Sequence, residues 1–153
     1  MTSYLPAISA FIHHLAAFML IGALIVERAL IVLPLTVESA RRLNATDMLF
    51  GIAAGIVLVI GVLRVMYFEK GGSYYLHSLP FLVKLTLFLL IGLLSIYPTV
   101  TFLGWRKDLR ADRVPVVTDR TLSRLRRVIT LELVLVVPLL LCAALMARGI
   151  GQF

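Results

Sequence analysis

Four apolar stretches dominate the sequence, and each is long enough to cross a membrane. They cover residues of about 7–33, 48–67, 79–104 and 129–147. A bilayer core about 30 Å thick needs roughly 20 residues of helix, and a backbone in hydrocarbon must satisfy its own hydrogen bonds. The sequence therefore predicts an all-α integral membrane protein, a single four-helix transmembrane bundle connected up-down-up-down over residues 1–153.

The composition leaves no room for a soluble catalytic domain. Hydrophobic residues make up 61% of the chain, whereas soluble domains contain about 45–50%. Only two predicted loops, 36–47 and 104–127, place much sequence outside the membrane. Any chemistry must therefore lie inside the bundle or at its mouths.

The positive charge is concentrated in the two predicted loops. The net charge is +7, and ten of the fifteen Lys and Arg residues fall in these loops. This distribution favours contact with anionic lipid over nucleic acid, and the positive-inside rule places both loops in the cytoplasm. Both termini are then predicted on the outer, periplasmic side of an inner (cytoplasmic) membrane.

Local signals predict the limits and contacts of the second helix. The segment "NATD" (44–47) offers Asn44 or Thr46 as its N-cap. The segment "GIAAG" (51–55) has the small-residue spacing that lets helix backbones touch.

Ionisable groups inside a membrane cost several kcal/mol each and by default mark a function or pair with one another. Near the cytoplasmic side, Arg28 and Glu132 are predicted to form a structural ion pair, and Glu27 to reach the headgroups or the loop arginines.

A second set of polar residues is predicted at the outer side, where all the histidines of the chain meet several cations. Its members are His13, His14, Arg64, Glu69, Lys70, His77, Lys84 and Arg148. Adjacent helical residues point about 100° apart, and His14 is predicted to face the bundle centre.

Three interpretations of His14 remain open. It is a hydrogen-bonded interfacial histidine, a transition-metal ligand, or an axial ligand of haem whose propionates pair with Arg64, Lys84 and Arg148. The metal interpretation is the weakest, because His13 and His14 cannot both chelate one ion from a straight helix.

The lines "FIHHLAAFMLIGALIVERALI", "GIVLVIGVLRVMYFEKGGSYY", "PFLVKLTLFLLIGLLSIYPT" and "LELVLVVPLLLCAALMARGIG" resemble a family of small four-pass bacterial membrane proteins known as a domain of unknown function. More distantly, the layout resembles the HemJ-type protoporphyrinogen oxidases and the CopD-like membrane proteins. The HemJ resemblance implies haem b, with His14 as an axial ligand and Lys84 in the same site. The second ligand stays open among His77, Met66, Met146 and a vacant position.

The leading hypothesis is a membrane-embedded protein that binds b-type haem, a HemJ-like oxidoreductase or electron-transfer protein in a bacterial inner membrane. Its partner would be a hydrophobic substrate such as a porphyrinogen or quinol, and Glu69 or nearby tyrosines would relay protons. The alternative is a non-enzymatic membrane protein, either an oligomeric scaffold in which "GIAAG" packs against a second copy or a small-solute carrier.

Overall fold

The computed structural model describes residues 4–32, 34–68 and 72–153. Four long helices, each apolar enough to cross a membrane, make up most of this part of the chain: α1 (Leu5–Leu30), α2 (Val37–Leu63), α4 (Leu79–Gly104) and α6 (Asp119–Ala147). The π-helical turn Arg64–Phe68 follows α2, and two short helices, α3 (Gly72–Leu76) and α5 (Arg106–Arg110), lie in the connections. The predicted four-helix transmembrane fold is confirmed.

The bundle consists of two helical hairpins. α1 packs closely along α2, and α4 along α6, whereas the seams between the hairpins, α1 against α6 and α2 against α4, are packed more sparsely. The core side chains Leu24, Leu43 and Phe102 are fully buried, and apolar side chains also cover the outer surface, as lipid contact requires. We call the end that holds residues 31–32, 34–36 and 105–118 the loop end, and the opposite end, which holds Tyr4 and Phe153, the terminal end.

α2 begins about three turns earlier than the sequence suggested. Thr36 is its N-cap, and the Thr36 and Ser39 side chains accept each other's backbone N–H in a capping box. The prediction that Asn44 or Thr46 caps this helix is therefore wrong. Most of the predicted loop 36–47 is helical. This first part of α2 packs into the bundle, because Ala40 and Leu43 are fully buried.

α6 also extends past the membrane region at the loop end. It begins at Asp119, where the Thr118 side chain accepts the backbone N–H of Thr121. The buried residues Leu122, Leu125 and Ile129 recur every three or four positions, as an amphipathic helix requires.

The glycines of "GIAAG" do not lie at a helix contact within the bundle. A Cβ added at Gly51 or Gly55 would meet no atom within 4 Å, and the buried small residue of this stretch is Ala53. The expectation that this segment lets backbones touch is not met inside one chain. Its contact with a second copy stays a prediction.

The C-terminal residues pair with the chain just before α4. The Leu79 N–H donates to the Gly151 carbonyl and the Phe153 N–H to the His77 carbonyl, each over 2.9 Å. Gly151 has φ +86°, and a Cβ there would lie 2.6 Å from Pro80 Cδ. This position therefore requires glycine, because both its conformation and its close contact exclude a side chain.

We expect Gly151→Ala to lower the free energy of unfolding by more than about 1 kcal/mol, since it adds left-handed backbone strain to a clash. Chemical unfolding in detergent micelles measures this difference. The control Gly92→Ala adds a Cβ in open space and should leave stability unchanged or raise it by up to about 1 kcal/mol. Equal effects of the two substitutions would contradict the docking of the C-terminal residues.

Candidate functional site

His13, rather than His14, is the histidine that faces the bundle. Its ring packs on α2, where a Cβ at Gly61 would lie 3.3 Å from His13 Cε1, and it interacts with the backbone of Val57 one turn away. His14 is exposed on the outer surface. The prediction that His14 faces the centre is therefore wrong.

The rotation of α1 explains this difference. Its buried residues include Ala16, Leu20, Ala23 and Glu27, which continue from the position of His13 at steps of three and four. Such spacing keeps side chains on one helix face. His14 lies about 100° away from that face, so packing of the apolar residues turns His13 inward.

His13, Arg64 and Lys84 form what we call the basic layer, at the terminal end. Arg64 opens the π-helical turn after α2, and the half-buried Lys84 lies early in α4. Both cations are close enough to His13 to interact with it electrostatically. The structure thus brings three of the predicted site residues together.

His77, also predicted in this set, is not part of the basic layer. His77 is exposed, its Nδ1 lies 2.8 Å from the Ser73 carbonyl oxygen, and its ring centroid is 5.9 Å from that of Phe153. Glu69, the predicted proton relay, falls outside the described residues. The haem-ligand and propionate roles of His14, His13, Arg64, Lys84 and His77 stay predictions.

Three carboxyl groups from three helices form what we call the acidic layer, near the loop end. Glu27 of α1, Asp47 of α2 and Glu132 of α6 are 2%, 6% and 1% exposed. They are close enough to interact electrostatically with one another. Glu27 was expected to reach the headgroups or the loop arginines, and its burial shows that this expectation is wrong.

The hydrogen bonds of this layer are incomplete. Thr99 of α4 donates its hydroxyl to Asp47 Oδ1 over 2.7 Å. Within the described chain, Glu27 Oε1 and both carboxyl oxygens of Glu132 are buried without a hydrogen-bond partner. Such atoms are rare in folded proteins, and each calls for a functional explanation or an additional ligand.

The predicted ion pair between Arg28 and Glu132 does not form. Arg28 Nε instead donates to Thr130 Oγ1 over 2.8 Å, while Glu132 points into the acidic layer. Because Glu27 and Arg28 are adjacent, they point about 100° apart on α1. Once Glu27 is turned into the bundle, Arg28 faces the seam with α6.

The two layers lie at opposite ends of the bundle interior. Fourteen residues separate His13 from Glu27 along α1, which corresponds to roughly 20 Å of helix. Between them lie apolar core side chains, including Leu20, Leu24 and Ile91. The basic and acidic groups are therefore too far apart to pair directly.

Sequence reasoning missed Asp47 because it placed this residue in a loop. A signal was present, since the buried residues of α2 follow helical spacing through it: Ala40, Leu43, Asp47, Phe50 and Ala53. Extending the apolar periodicity of α2 toward its N-terminus would have placed Asp47 on the core face.

The acidic layer is looser than a metal centre. In the part of the chain that the structure describes, no three His, Cys, Asp or Glu side chains are placed to hold one metal ion.

A family model described as "Predicted membrane protein (DUF2214)" matches residues 5–151. This agrees with the resemblance to small membrane proteins of unknown function. No curated protein and no solved structure matches the chain, and no resemblance to HemJ-type or CopD-like proteins is shown.

We expect Thr99→Val to lower the free energy of unfolding by about 1–3 kcal/mol, because it leaves Asp47 without its buried donor. The matched control is Thr86→Val on the same helix, since the exposed Thr86 hydroxyl donates to the Leu82 carbonyl one turn earlier. That change should stay within about 0.5 kcal/mol. Chemical unfolding in micelles compares the two, and equal losses would show that the Thr99 bond does not hold the acidic layer.

Proposed function

The chain belongs to the DUF2214 family of membrane proteins, whose function is unknown, and we propose from its geometry that it is a proton-coupled carrier of a small anionic solute. One observation carries this proposal. Three helices bury carboxyl groups together, and oxygens of Glu27 and Glu132 have no hydrogen-bond partner within the described chain.

Protons are the natural ligand of these oxygens. A buried carboxylate without a partner is strongly destabilised, so the group becomes neutral by binding a proton instead. Intramembrane carboxyl groups are characteristic of proton relays in pumps and transporters. In this proposal the acidic layer holds protons while it is closed and releases them when it opens to water.

The hairpin arrangement supports an opening of this kind. Glu27 and Asp47 belong to one hairpin, and Glu132 and Thr99 belong to the other. The sparsely packed seams run between them. Ionised carboxylates repel one another across a seam and neutral ones do not, so proton binding would favour the closed arrangement over an open one.

The basic layer would bind the anion. His13, Arg64 and Lys84 present an imidazole, a guanidinium and an ammonium group at one level of the interior. Such groups bind carboxylate and phosphate oxygens through charge-assisted hydrogen bonds. Because the two layers are separated, an anion and a proton would occupy different sites of the same bundle.

The proposal predicts acidification of liposomes that contain the protein. External succinate, inorganic phosphate or chloride serves as the probe, and a trapped pH-sensitive dye reports the lumen. With wild type, at least one of these anions should acidify the lumen faster than in protein-free liposomes. Glu132→Gln should abolish this difference, because an amide of the same shape cannot carry a proton.

The matched control is Glu38→Gln, which changes an exposed carboxylate paired with Arg42 at the loop end. It should transport like wild type. Lys84→Met should remove the response to the anion. Equal lumen pH traces for wild type and Glu132→Gln with all three probes would refute the carrier.

A second candidate is the haem protein that the sequence predicts, with the ligand moved to His13. The observation that favours it is the inward-facing imidazole, whose Nδ1 is buried without a hydrogen-bond partner in the described chain. Arg64 and Lys84 beside it fit the propionates of a b-type haem, which would supply one-electron chemistry toward a porphyrinogen or quinol. The described residues place no second histidine beside His13 on the interior face.

This candidate predicts a Soret band in the purified protein, with about one haem per chain. His13→Ala should abolish haem retention, because His13 is the imidazole that faces the interior. His14→Ala changes an exposed side chain and should retain most of the haem. An absorption spectrum with a pyridine haemochrome assay measures both, and a colourless wild type after expression with haem precursor would eliminate this candidate.

A further inference from the structure

A groove opens between α1 and α6 at the loop end, on the outside of the bundle. It has a volume of about 460 Å³ and is open to the outside. Its lining includes Arg28, Arg126, Arg127, Thr130, Leu131 and Val134. The groove is separate from both the acidic and the basic layer.

The three arginines of this groove have no acidic partner among the described residues. Arg28 uses its Nε to bond Thr130, and Arg126 uses one terminal nitrogen to bond the Ile31 carbonyl oxygen over 2.8 Å. The Nε of Arg126 is buried and has no acceptor in the described chain. No carboxylate of the described residues forms a salt bridge with any of the three.

Some other arginines at the same end are paired with acids. Arg41 lies 2.9 Å from an Asp112 carboxylate oxygen, and Arg113 lies 3.1 Å from one of Asp108. A second groove, between α2 and α5, contains this paired Arg41, Arg106, which donates to Asn44 Oδ1, and Arg110. The α1/α6 groove therefore contains more arginines without an acidic partner among the described residues than the second groove does.

The wall of the groove nearer the terminal end is apolar and exposed. Leu131 and Val134 are exposed, and Val137 and Leu141 continue the same face of α6 toward the terminal end. A ligand that contacts both parts of the groove has an anionic group that binds the arginines and a hydrocarbon chain that packs along α6. Basic pockets between transmembrane helices bind anionic lipid headgroups in this way.

We infer that the α1/α6 groove is a binding site for an anionic glycerophospholipid. The lipid phosphate accepts hydrogen bonds from Arg28, Arg126 and Arg127, and one acyl chain lies along Leu131 and Val134. Free phosphate would accept hydrogen bonds from the arginines but would leave the apolar wall uncovered. A lipid contacts both parts of the groove, so it is the better ligand. The bound lipid spans one seam between the hairpins and links them from the outside.

Native mass spectrometry of the intact protein in detergent tests this site. The probes are dioleoyl phosphatidylglycerol, dioleoyl phosphatidylcholine and inorganic phosphate. Wild type should retain phosphatidylglycerol in preference to phosphatidylcholine. The double variant Arg28→Gln/Arg127→Gln should bind phosphatidylglycerol at least about tenfold more weakly, since it loses two charge-assisted contacts.

The matched control is Arg110→Gln/Arg120→Gln, which removes the same charge from exposed positions outside this groove. It should keep the affinity of wild type. If the double variant does not fold, the single variant Arg127→Gln, which changes an exposed residue, replaces it. Arg127→Gln should also lower the affinity for phosphatidylglycerol. Gel filtration checks the folding of each variant.

Three results would overturn the inference. Equal retention of the two lipids by wild type would show that the groove does not select anionic lipid. An equal loss in the control would assign binding to the overall charge of the loop end. Displacement of phosphatidylglycerol by equimolar inorganic phosphate would make the groove a phosphate site without a role for the apolar wall.

Discussion

The need to satisfy every backbone hydrogen bond in hydrocarbon is the constraint on which the rest of this structure depends. Water is absent from the bilayer core, so each spanning segment bonds within itself and becomes a helix. With the backbone satisfied and apolar side chains facing lipid, only the interior and the two ends remain for polar groups. The positions of polar side chains therefore carry the functional information in this protein.

Basic and acidic side chains of the interior lie at different levels along the bundle. The basic layer of His13, Arg64 and Lys84 lies toward the terminal end, and the carboxyl groups of the acidic layer lie toward the loop end. Apolar core residues separate them, so neither layer neutralises the other. In the proposed carrier, this separation lets an anion and a proton occupy different sites of the same bundle.

The seams between the hairpins connect these features. The acidic layer spans the interior between the hairpins, and the Thr99 to Asp47 bond joins one hairpin to the other. The arginine groove lies on the outside of the α1/α6 seam. Anything that binds at these places acts on the weaker of the helix contacts, because α1 with α2 and α4 with α6 pack more closely. In the proposed carrier, relative movement of the hairpins is the motion to which ligand binding couples.

The sequence by itself determined the four transmembrane helices, their membrane environment and the level at which His13, Arg64 and Lys84 meet, because length, hydropathy and charge act locally along the chain. It did not determine which histidine faces inward, that Asp47 joins Glu27 and Glu132, or that Arg28 bonds Thr130 instead of Glu132. Those outcomes depend on the rotation and axial position of each helix, which the packing of apolar side chains from neighbouring helices sets. A rotation of α1 by one residue, about 100°, would exchange His13 for His14 and Glu27 for Arg28, and only tertiary packing selects between the two.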